Sequence, residues 1–338
     1  MPAFGLDIGS SSIKLIELTG NKKQPKLTAF GLAVNPVGNV DTDNEQELVQ
    51  IAQAIKKLTT DAGVKQRRVV VGLPESKVYT RVVEMPTLSE SELASAINWE
   101  AEQYIPIPIA EVQLDYRILS QPQAIGSNKM RVFLVAAPVA VVNRMVKILE
   151  LANLELEALE TEMLGVARAM TQQQNNAQLL VHLGARTTDI GIVQGETVVF
   201  TRSISTGGMA LTRALAADLG LEVASAEQYK RTYGLDKNQL QGKVRTSLLG
   251  VFSSLVSEFK KAQHFYASTY SGGIRRLILS GGGAYLPEVT STLASELGVE
   301  VVIGDPFAAL NLTPQQRQRL GGIGAVFTVA VGMALREM

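Results

Sequence analysis

Two stretches of sequence decide the fold: residues 6–18 read LDIGSSSIKLIEL, and residues 179–193 read LLVHLGARTTDIGIV. Each has an apolar run, a turn of glycine and small polar residues, and a second apolar run, a pattern typical of a β-hairpin. Aligned without gaps, Asp7 falls on His182 and Gly9 on Gly184, a separation of 175 positions (182 minus 7). The repeat predicts an internal duplication; chance similarity of two hairpins is the alternative.

Both turns have the composition of a phosphate clamp. Backbone N–H groups and hydroxyls that converge from two sides favour a polyphosphate. Asp7 is expected to hold Mg²⁺ through water, and Lys14 to neutralise phosphate charge. An ordinary hairpin remains the alternative for the first turn. The predicted nucleotide-binding residues here are Gly9, Ser10, Ser11, Ser12 and Lys14 in the first stretch, and Gly184, Ala185, Arg186, Thr187 and Thr188 in the second.

Glycine-rich turns elsewhere extend the predicted site. Gly207 and Gly208 precede a predicted helix whose N–H groups would face the ligand. Glu227 and Lys230 are expected to contact ribose or adenine, with a solvated ion pair as the alternative. The stretch SGGGAYLPEV (280–289) permits close backbone approach to a flat ligand, but it matches neither the Walker phosphate loop nor the dinucleotide fingerprint. Its predicted binding residues are Gly281, Gly282, Gly283 and Ala284, with a purely structural turn as the alternative.

The pattern between these motifs predicts further elements. Helices are expected over Asp43–Ala62 and Val139–Leu151, a buried strand over Arg68–Leu73, and a loop over Gly20–Lys26. Residues 77–152 resemble an inserted β-α-β-β unit followed by a helix. The helix inside this unit is expected to begin at Ser89, with a capping box to Glu92, and to run to Ile105. A polar helical region is predicted from Met209 to Thr269, and a final helix over Ala325–Arg336.

Composition excludes several classes of protein. The 338 residues suit two domains, and 32 basic residues balance 32 acidic ones. A broad electrostatic grip on nucleic acid is therefore not expected, although a local patch is left open. Without cysteine there is no disulfide, thiolate nucleophile or cysteine-ligated zinc. The longest uncharged run, residues 320–335, has 16 residues, short of the roughly 20 that a membrane span needs.

The two opening stretches resemble the first and second phosphate motifs of the actin-like ATPases, and LILSGGGAYLPEV (277–289) resembles their adenosine motif. Within that superfamily the chain resembles the PilM family of type IV pilus assembly proteins, through FGLDIGSSSIKLIEL, MPTLSESEL, AINWEAEQYIPIPIAEVQLDY and GMALREM. The division protein FtsA is similar in carrying an inserted domain at the same place. The resemblance implies an α/β actin-like ATPase fold of two ribonuclease-H-like halves with an inserted β-α-β-β domain. The implied domains are 1–76 with 153–176 and 322–338, the inserted 77–152, and 177–210 with 270–321, whose helical subdomain is 211–269.

The same resemblance implies a function in pilus assembly and twitching motility. It implies a cytoplasmic scaffold, peripheral to the inner membrane, that binds ATP or ADP with Mg²⁺ and the cytoplasmic N-terminal tail of PilN. Trp99, Gln103 and Tyr104 are the candidate tail-binding residues. Other platform proteins and the motor ATPase are further implied partners; nucleic acid and direct membrane insertion are not expected, and self-association is left open.

One departure from the superfamily pattern concerns catalysis. His182 stands where relatives carry Asp, and a neutral imidazole is a poor ligand for Mg²⁺, so ATP binding with slow or absent hydrolysis is expected. Glu160 is the candidate for orienting water, with Glu162 as its competitor. A filament-forming FtsA-like ATPase and a sugar-kinase-like phosphotransferase are the alternative functions.

Overall fold

In a computed structural model, the structure describes residues 3–120, 129–171, 176–195, 197–270 and 272–338. Residues 121–128 and 172–175 of the predicted domains lie outside this described part. The strands are β1 (Phe4–Ile8), β2 (Ser12–Asn21), β3 (Gln24–Val34), β4 (Arg68–Leu73), β5 (Tyr79–Pro86), β6 (Val112–Ser120), β7 (Lys129–Pro138), β8 (Glu155–Thr161), β9 (Gln178–Leu183), β10 (Thr188–Gln194), β11 (Thr197–Ile204), β12 (Arg276–Ser280) and β13 (Glu300–Ile303). The helices are α1 (Glu45–Ala62), α2 (Glu90–Glu102), α3 (Val139–Leu151), α4 (Glu162–Met170), α5 (Gly208–Leu219), α6 (Val223–Tyr233), α7 (Lys243–Thr269), α8 (Val289–Leu297), α9 (Pro314–Leu320) and α10 (Thr328–Ala334).

The duplication predicted from two hairpins extends over two complete sheets. One sheet has the order β3-β2-β1-β4-β8 and the other has the order β11-β10-β9-β12-β13. In each, the first three strands are antiparallel neighbours and the last two join in parallel. The same connectivity and strand directions confirm the internal duplication and the two-halved α/β fold.

Strands buried on both faces place helices on either side of each sheet. Every residue of β1 and β9 is buried. On one face, Phe4 and Leu6 share a core with α1 and α3, and Leu179 shares a core with α7. On the other face, Val70 and Leu180, one from each sheet, join the same core as α4 and α10. These two helices therefore lie between the sheets and connect the halves.

The crossing of α4 and α10 depends on two glycines. A Cβ atom added to Gly332 would lie 1.9 Å from the carbonyl oxygen of Gly165, far inside any real contact. Glycine at both positions lets the two backbones touch, which brings the helices closer than side chains would permit.

The inserted β-α-β-β unit is present as predicted. Its antiparallel sheet has the order β5-β7-β6, and α2 covers that sheet with Leu93, Ile97 and Ala101 buried. The capping box forms between Ser89 and Glu92. Here α2 ends at Glu102, earlier than the predicted Ile105, because the approach to Pro106 disfavours helical backbone.

Two predictions of local structure were wrong. The expected loop over Gly20–Lys26 is only a tight turn, because Asn21 Oδ1 accepts hydrogen bonds from the N–H groups of Lys23 (3.1 Å) and Gln24 (3.0 Å), and β3 begins at once. The expected helix over Ala325–Arg336 is a 3₁₀ turn, Gly324–Phe327, followed by the short α10.

Candidate functional site

A cavity of about 510 Å³ opens between the two halves, within the size range of small-ligand sites. Both repeated turns face it. The carboxyl ends of β1, β4 and β9 contribute to its lining, as expected for ligand sites at parallel strand ends. The lining residues include Asp7, Gly9, Ser10, Ser11, Lys14, Lys77, Glu162, His182, Gly184, Ala185, Arg186, Thr187, Asp189, Met209 and Arg213.

The two turns have the same geometry. The Gly9 N–H donates to Ser12 O at 3.1 Å, and the Gly184 N–H donates to Thr187 O at 3.0 Å. A Cβ at Gly9 would lie 3.0 Å from Ser12 O, and one at Gly184 would lie 2.9 Å from Thr187 O. Each turn therefore has little space for a side chain at its glycine.

The strands that flank the turns carry acidic and basic residues in opposite order. Asp7 lies across from Lys14 in the β1–β2 ladder, and His182 lies across from Asp189 in the β9–β10 ladder. Lys14 Nζ and Asp7 Oδ2 form an ion pair of 2.9 Å that is nearly inaccessible to solvent. Acid and base have thus exchanged strands between the two halves.

Burial controls ionisation in the second half. It lowers the pKa of His182 to about 4, so the imidazole is neutral at physiological pH, and its Nδ1 lies 3.0 Å from Ser280 Oγ. Burial also raises the pKa of Asp189 to about 7. That carboxyl accepts hydrogen bonds from Ser203 and, at 3.2 Å, from Thr187. The neutral state predicted for His182 agrees with its surroundings.

The structure separates Glu160 from Glu162. Glu160 belongs to β8, accepts a hydrogen bond from Arg168 Nη2 at 2.8 Å and forms an ion pair with Arg336 Nε at 3.1 Å, away from the cavity. Glu162 begins α4 and lines the cavity. Enclosure by protein, together with the charges of Asp7 and Asp189, raises the pKa of Glu162 well above its ordinary value. The prediction that Glu160 lies in the cleft was therefore wrong, and the alternative residue, Glu162, lies there instead.

Gly207 and Gly208 have a different role from the one predicted. The N–H of Gly208 donates to Gly184 O at 2.9 Å, and that of Met209 donates to Ala185 O at 2.8 Å. These donors of the first turn of α5 are therefore bound to backbone oxygens of the turn at Gly184 and Ala185. Contact with the cavity comes from Met209, Ala210 and Arg213 of α5.

Glu227 and Lys230 do not line this cavity. Lys230 Nζ donates to Gly208 O (2.9 Å), Thr212 Oγ1 (2.8 Å) and Glu227 Oε2 (2.7 Å), and the residue is buried. The pair therefore holds the beginning of α5 in place, and the reading as a solvated ion pair was wrong. Neighbouring hydrogen bonds from Lys230 and Thr212 outweigh burial and lower the pKa of Glu227 to about 2.

Several other predicted nucleotide-binding residues do not line the cavity either. Thr188 is buried, and its hydroxyl donates to Thr206 O at 2.7 Å. Gly281 has a φ of +79°, donates to Ala325 O at 2.8 Å, and has no space for a Cβ, which would lie 2.6 Å from Leu183 O. The glycine turn at 281–284 packs against the end of β9, and among the described residues that line the cavity none comes from it.

Sequence reasoning missed two cations of the cavity, Lys77 and Arg213. Lys77 forms an ion pair with Asp41, which also pairs with Arg144. A signal for Lys77 did exist, because it follows the carboxyl end of β4 within a few residues. Arg213 lies on α5, five positions after Gly208, but whether its side chain faces the cavity depends on how that helix packs against the rest of the fold.

A smaller cavity of about 220 Å³ lies where three parts of the chain meet; we call it the groove. Glu75 comes from the first half, residues 79–81 and Tyr104 from the inserted unit, and residues 201–203 from the second half. The Arg81 guanidinium stacks 4.0 Å from the Tyr104 ring centroid. Trp99 is 69% exposed on α2 and does not line the groove, nor does the exposed Gln103.

Comparison with known proteins shows which families share this architecture. The model of the family described as "Type IV pilus assembly protein PilM" matches residues 5–338. The chain is similar to the solved "PilM-PilN type IV pilus biogenesis complex", with 30% identity, a TM-score of 0.88, and coverage of 99% of this chain and 98% of that one. It is 22% identical to the cell division protein FtsA of Streptococcus pneumoniae over 89% of this chain and 75% of FtsA. MreB5 of Spiroplasma citri, solved bound to ADP, superposes with a TM-score of 0.53 at 14% identity, covering 98% of this chain and 94% of MreB5.

The duplicated halves and the cleft between them define an actin-like fold. The family match extends over almost the whole chain, and the superposition on PilM is equally complete. The chain belongs to the PilM family of type IV pilus assembly proteins. Within the described residues, each helix is too short or too polar to traverse a bilayer.

Proposed function

We propose that the chain is a nucleotide-dependent scaffold of type IV pilus assembly that binds ATP or ADP in the cleft. The observation that carries this proposal is the convergence of two geometrically matched glycine turns on one cavity. Lys14, Arg186 and Arg213 add positive charge to the same lining, which suits a polyphosphate.

The cleft also fits a phosphate-bound Mg²⁺ ion. A Cβ at Gly9 would lie 3.0 Å from Lys14 Nζ, so the glycine leaves this cation and its partner Asp7 open to the turn. Among the described residues, no three His, Cys, Asp or Glu side chains are grouped to hold a metal by themselves. Asp7 would therefore act with water and phosphate oxygens, the arrangement that Mg²⁺ favours. The ion would neutralise phosphate charge.

Hydrolysis is proposed to be slow. The imidazole of His182 is neutral and carries no negative charge toward a metal or water. Burial, together with the charges of Asp7 and Asp189, raises the pKa of Glu162 well above its ordinary value, which disfavours the ionised form that a general base must have. These two side chains favour retention of ATP over turnover.

Calorimetric titration of ATP with Mg²⁺ tests the nucleotide site. Lys14→Ala should weaken ATP binding tenfold or more, because a charge-assisted hydrogen bond contributes about 1.5–3 kcal/mol. Lys57→Ala, on the exposed face of α1 and paired with Asp61, is the control and should bind like wild type. Absence of ATP and ADP binding by the wild-type chain would refute the proposal.

The proposed partner is the cytoplasmic N-terminal tail of PilN, since the similar solved structure is a PilM–PilN complex. A short extended segment fits the groove, whose lining combines Tyr79, Tyr104 and Ile105 with polar groups. Trp99 and Gln103 are exposed, and they lie close in sequence to Ala101 and Tyr104, which line the groove. Recruitment by such a tail would place the chain in the cytoplasm at the inner membrane.

Fluorescence titration with a labelled PilN tail peptide tests the partner site. Tyr104→Ala should weaken binding more than tenfold if the tail enters the groove, and Trp99→Ala should do so if the tail also crosses the outer side of α2. Unchanged ATP affinity verifies the fold of each variant. Wild-type affinity in both variants would exclude this end of α2 from the tail site.

A further inference from the structure

The cleft contains a lysine, Lys77, whose anionic partner also has a second cation. Lys77 lines the cavity and forms an ion pair with Asp41, and the two side chains are 38% and 37% exposed. Asp41 pairs in addition with Arg144 Nη1 at 2.6 Å, and the Arg144 side chain is only 12% exposed. Ion pairs this accessible to solvent contribute little stability. Asp41 therefore keeps an enclosed cationic partner if Lys77 moves to another anion.

The backbone of Lys77 is fixed, although its side chain is not enclosed. Lys77 ends the 3₁₀ turn Glu75–Lys77, and its N–H donates to Pro74 O at 2.9 Å. Glu75 and Val78 are both buried and anchor the chain on either side. The flexible four-carbon stem of a lysine can rotate about such an anchor. The ammonium group can therefore change its partner without rearrangement of the backbone.

The ion pair belongs to the same wall of the cavity as the first glycine turn. Asn35 donates its backbone N–H to Ser11 O at 3.1 Å and its Nδ2–H to Gly9 O at 2.9 Å, which ties the chain after β3 to that turn. Six positions later the same segment reaches Asp41, and both Asp41 and Lys77 line the cavity together with Gly9 and Ser11. Lys77 is thus a cation on the wall that is proposed to bind phosphate.

Two parts of the lining differ in chemistry. Asp41 and Lys77 form a charged rim on the first half, whereas α5 of the second half contributes Met209 and Ala210 together with Arg213. The flat face of a nucleobase suits a thioether, and a phosphate suits an ammonium group. A nucleotide held by the two glycine turns should therefore direct its base toward α5 and its last phosphate toward Lys77.

We propose that Lys77 is a specificity-determining residue, which leaves Asp41 to bind the terminal phosphate of a nucleoside triphosphate. The inference rests on the proposed function, which supplies the nucleotide. A diphosphate held by the same two turns lacks the outermost phosphate and leaves Lys77 on Asp41. A charge-assisted hydrogen bond that only the triphosphate gains should favour ATP over ADP by about tenfold.

Calorimetric titrations of ATP and ADP, each with Mg²⁺, measure this selectivity as the ratio of the two dissociation constants. In Lys77→Ala the affinity for ATP should fall about tenfold, because the contact with the terminal phosphate is lost. The affinity for ADP should change by less than about twofold, since the proposed contact is not made with ADP. The ADP titration also verifies that the variant is folded.

Lys147→Ala is the matched control. Lys147 pairs with Glu45 at 2.5 Å, its side chain is 47% exposed, and it does not belong to the lining of the cavity. The substitution therefore removes an accessible, ion-paired lysine of the first half without touching the nucleotide site. Both affinities and their ratio should remain those of the wild type.

Asp41→Asn tests the exchange of partners from the other side. The hydrogen bond from Lys77, with the charges of Lys77 and Arg144, lowers the pKa of Asp41, so the substitution removes an ionised carboxylate. Lys77 then has no competing anion at this position, and the affinity for ATP should rise more than the affinity for ADP. In the double variant with Lys77→Ala, this gain in selectivity should disappear.

The outcomes distinguish this inference from the proposed function. If Lys77→Ala keeps the wild-type ratio of ATP to ADP affinity, the inference is overturned and the nucleotide site stands. Equal losses for ATP and ADP would overturn it as well, because Lys77 would then not distinguish the terminal phosphate. If the wild type binds neither nucleotide, the proposed function fails and the inference fails with it.

Discussion

The close crossing of α4 and α10 predicts that replacing its glycine by alanine destabilises the protein, whereas the same replacement at a matched control position does not. In Gly332→Ala, the new Cβ would lie 1.9 Å from Gly165 O, 2.3 Å from its carbonyl carbon and 2.6 Å from its Cα. All three are backbone atoms, so no side-chain rotation can relieve the overlap, and the helices must separate by about 1 Å. We expect a loss of about 3 kcal/mol, at the upper end of the cost of overpacking, which corresponds to roughly 4 °C in Tm for 338 residues at an unfolding entropy of about 2.1 cal/mol/K per residue.

Gly250→Ala is the control, since Gly250 lies inside α7 and an added Cβ would meet no atom within 4 Å. Here alanine should stabilise the helix by about 0.5–1 kcal/mol, so the two glycine substitutions should shift Tm in opposite directions. The assay is thermal unfolding followed by circular dichroism for both variants and the wild type. A Gly332→Ala variant as stable as the wild type would show that the close approach of the two helices carries no structural constraint.

Three further predictions concern ionisable side chains of the second half. Asp189→Asn should gain stability over the wild type as pH rises from about 4 to 8, because an acid whose pKa is raised by folding destabilises the native state above its unfolded pKa; parallel Tm–pH curves would contradict this. Folding lowers the pKa of Glu227, so its carboxylate stabilises the wild type at neutral pH, and this stabilisation disappears as the pH falls from about 4.5 to about 2. Glu227→Gln should lack this stabilisation at neutral pH. Acid denaturation followed by fluorescence measures it, and an acid-denaturation curve identical to that of the wild type would refute it. His182→Asp should raise ATP hydrolysis in a phosphate-release assay while lowering Tm, since it adds a buried carboxyl beside Asp7; unchanged hydrolysis with intact ATP binding would show that position 182 does not limit turnover.

Local patterns were sufficient for much of the fold. The predicted strand Arg68–Leu73 and helix Val139–Leu151 have the observed bounds, because apolar periodicity and flanking residues determine both. The capping box at Ser89 depends on residues three apart and was equally visible. The strand β3 was missed because its turn is closed by the side chain of Asn21, an interaction that composition does not signal.

The residues of the site were harder to predict than the fold, because their assignment depends on where each side chain points. Glu160 and Glu162 are two residues apart, but the chain changes from strand to helix at Thr161, so their side chains point to different places. Glu160 pairs with Arg336, 176 positions later (336 minus 160), a contact that only the folded chain creates. Glycines at 207–208 and 281 were correctly singled out as unusual, yet the structure uses them for backbone packing, which the sequence pattern cannot distinguish from ligand contact.

The exchange of acid and base between the β1–β2 and β9–β10 ladders gives the cleft a polarity. A protein made of two identical halves would present the same face to a ligand from either side, and a nucleotide could enter in two opposite orientations. Here one half presents the Lys14–Asp7 ion pair, whereas the other presents a neutral imidazole and a carboxyl with a raised pKa. A ligand whose two ends differ therefore has one favoured binding orientation. The chemical divergence of the two copies allows a fold with two similar halves to distinguish the ends of its ligand.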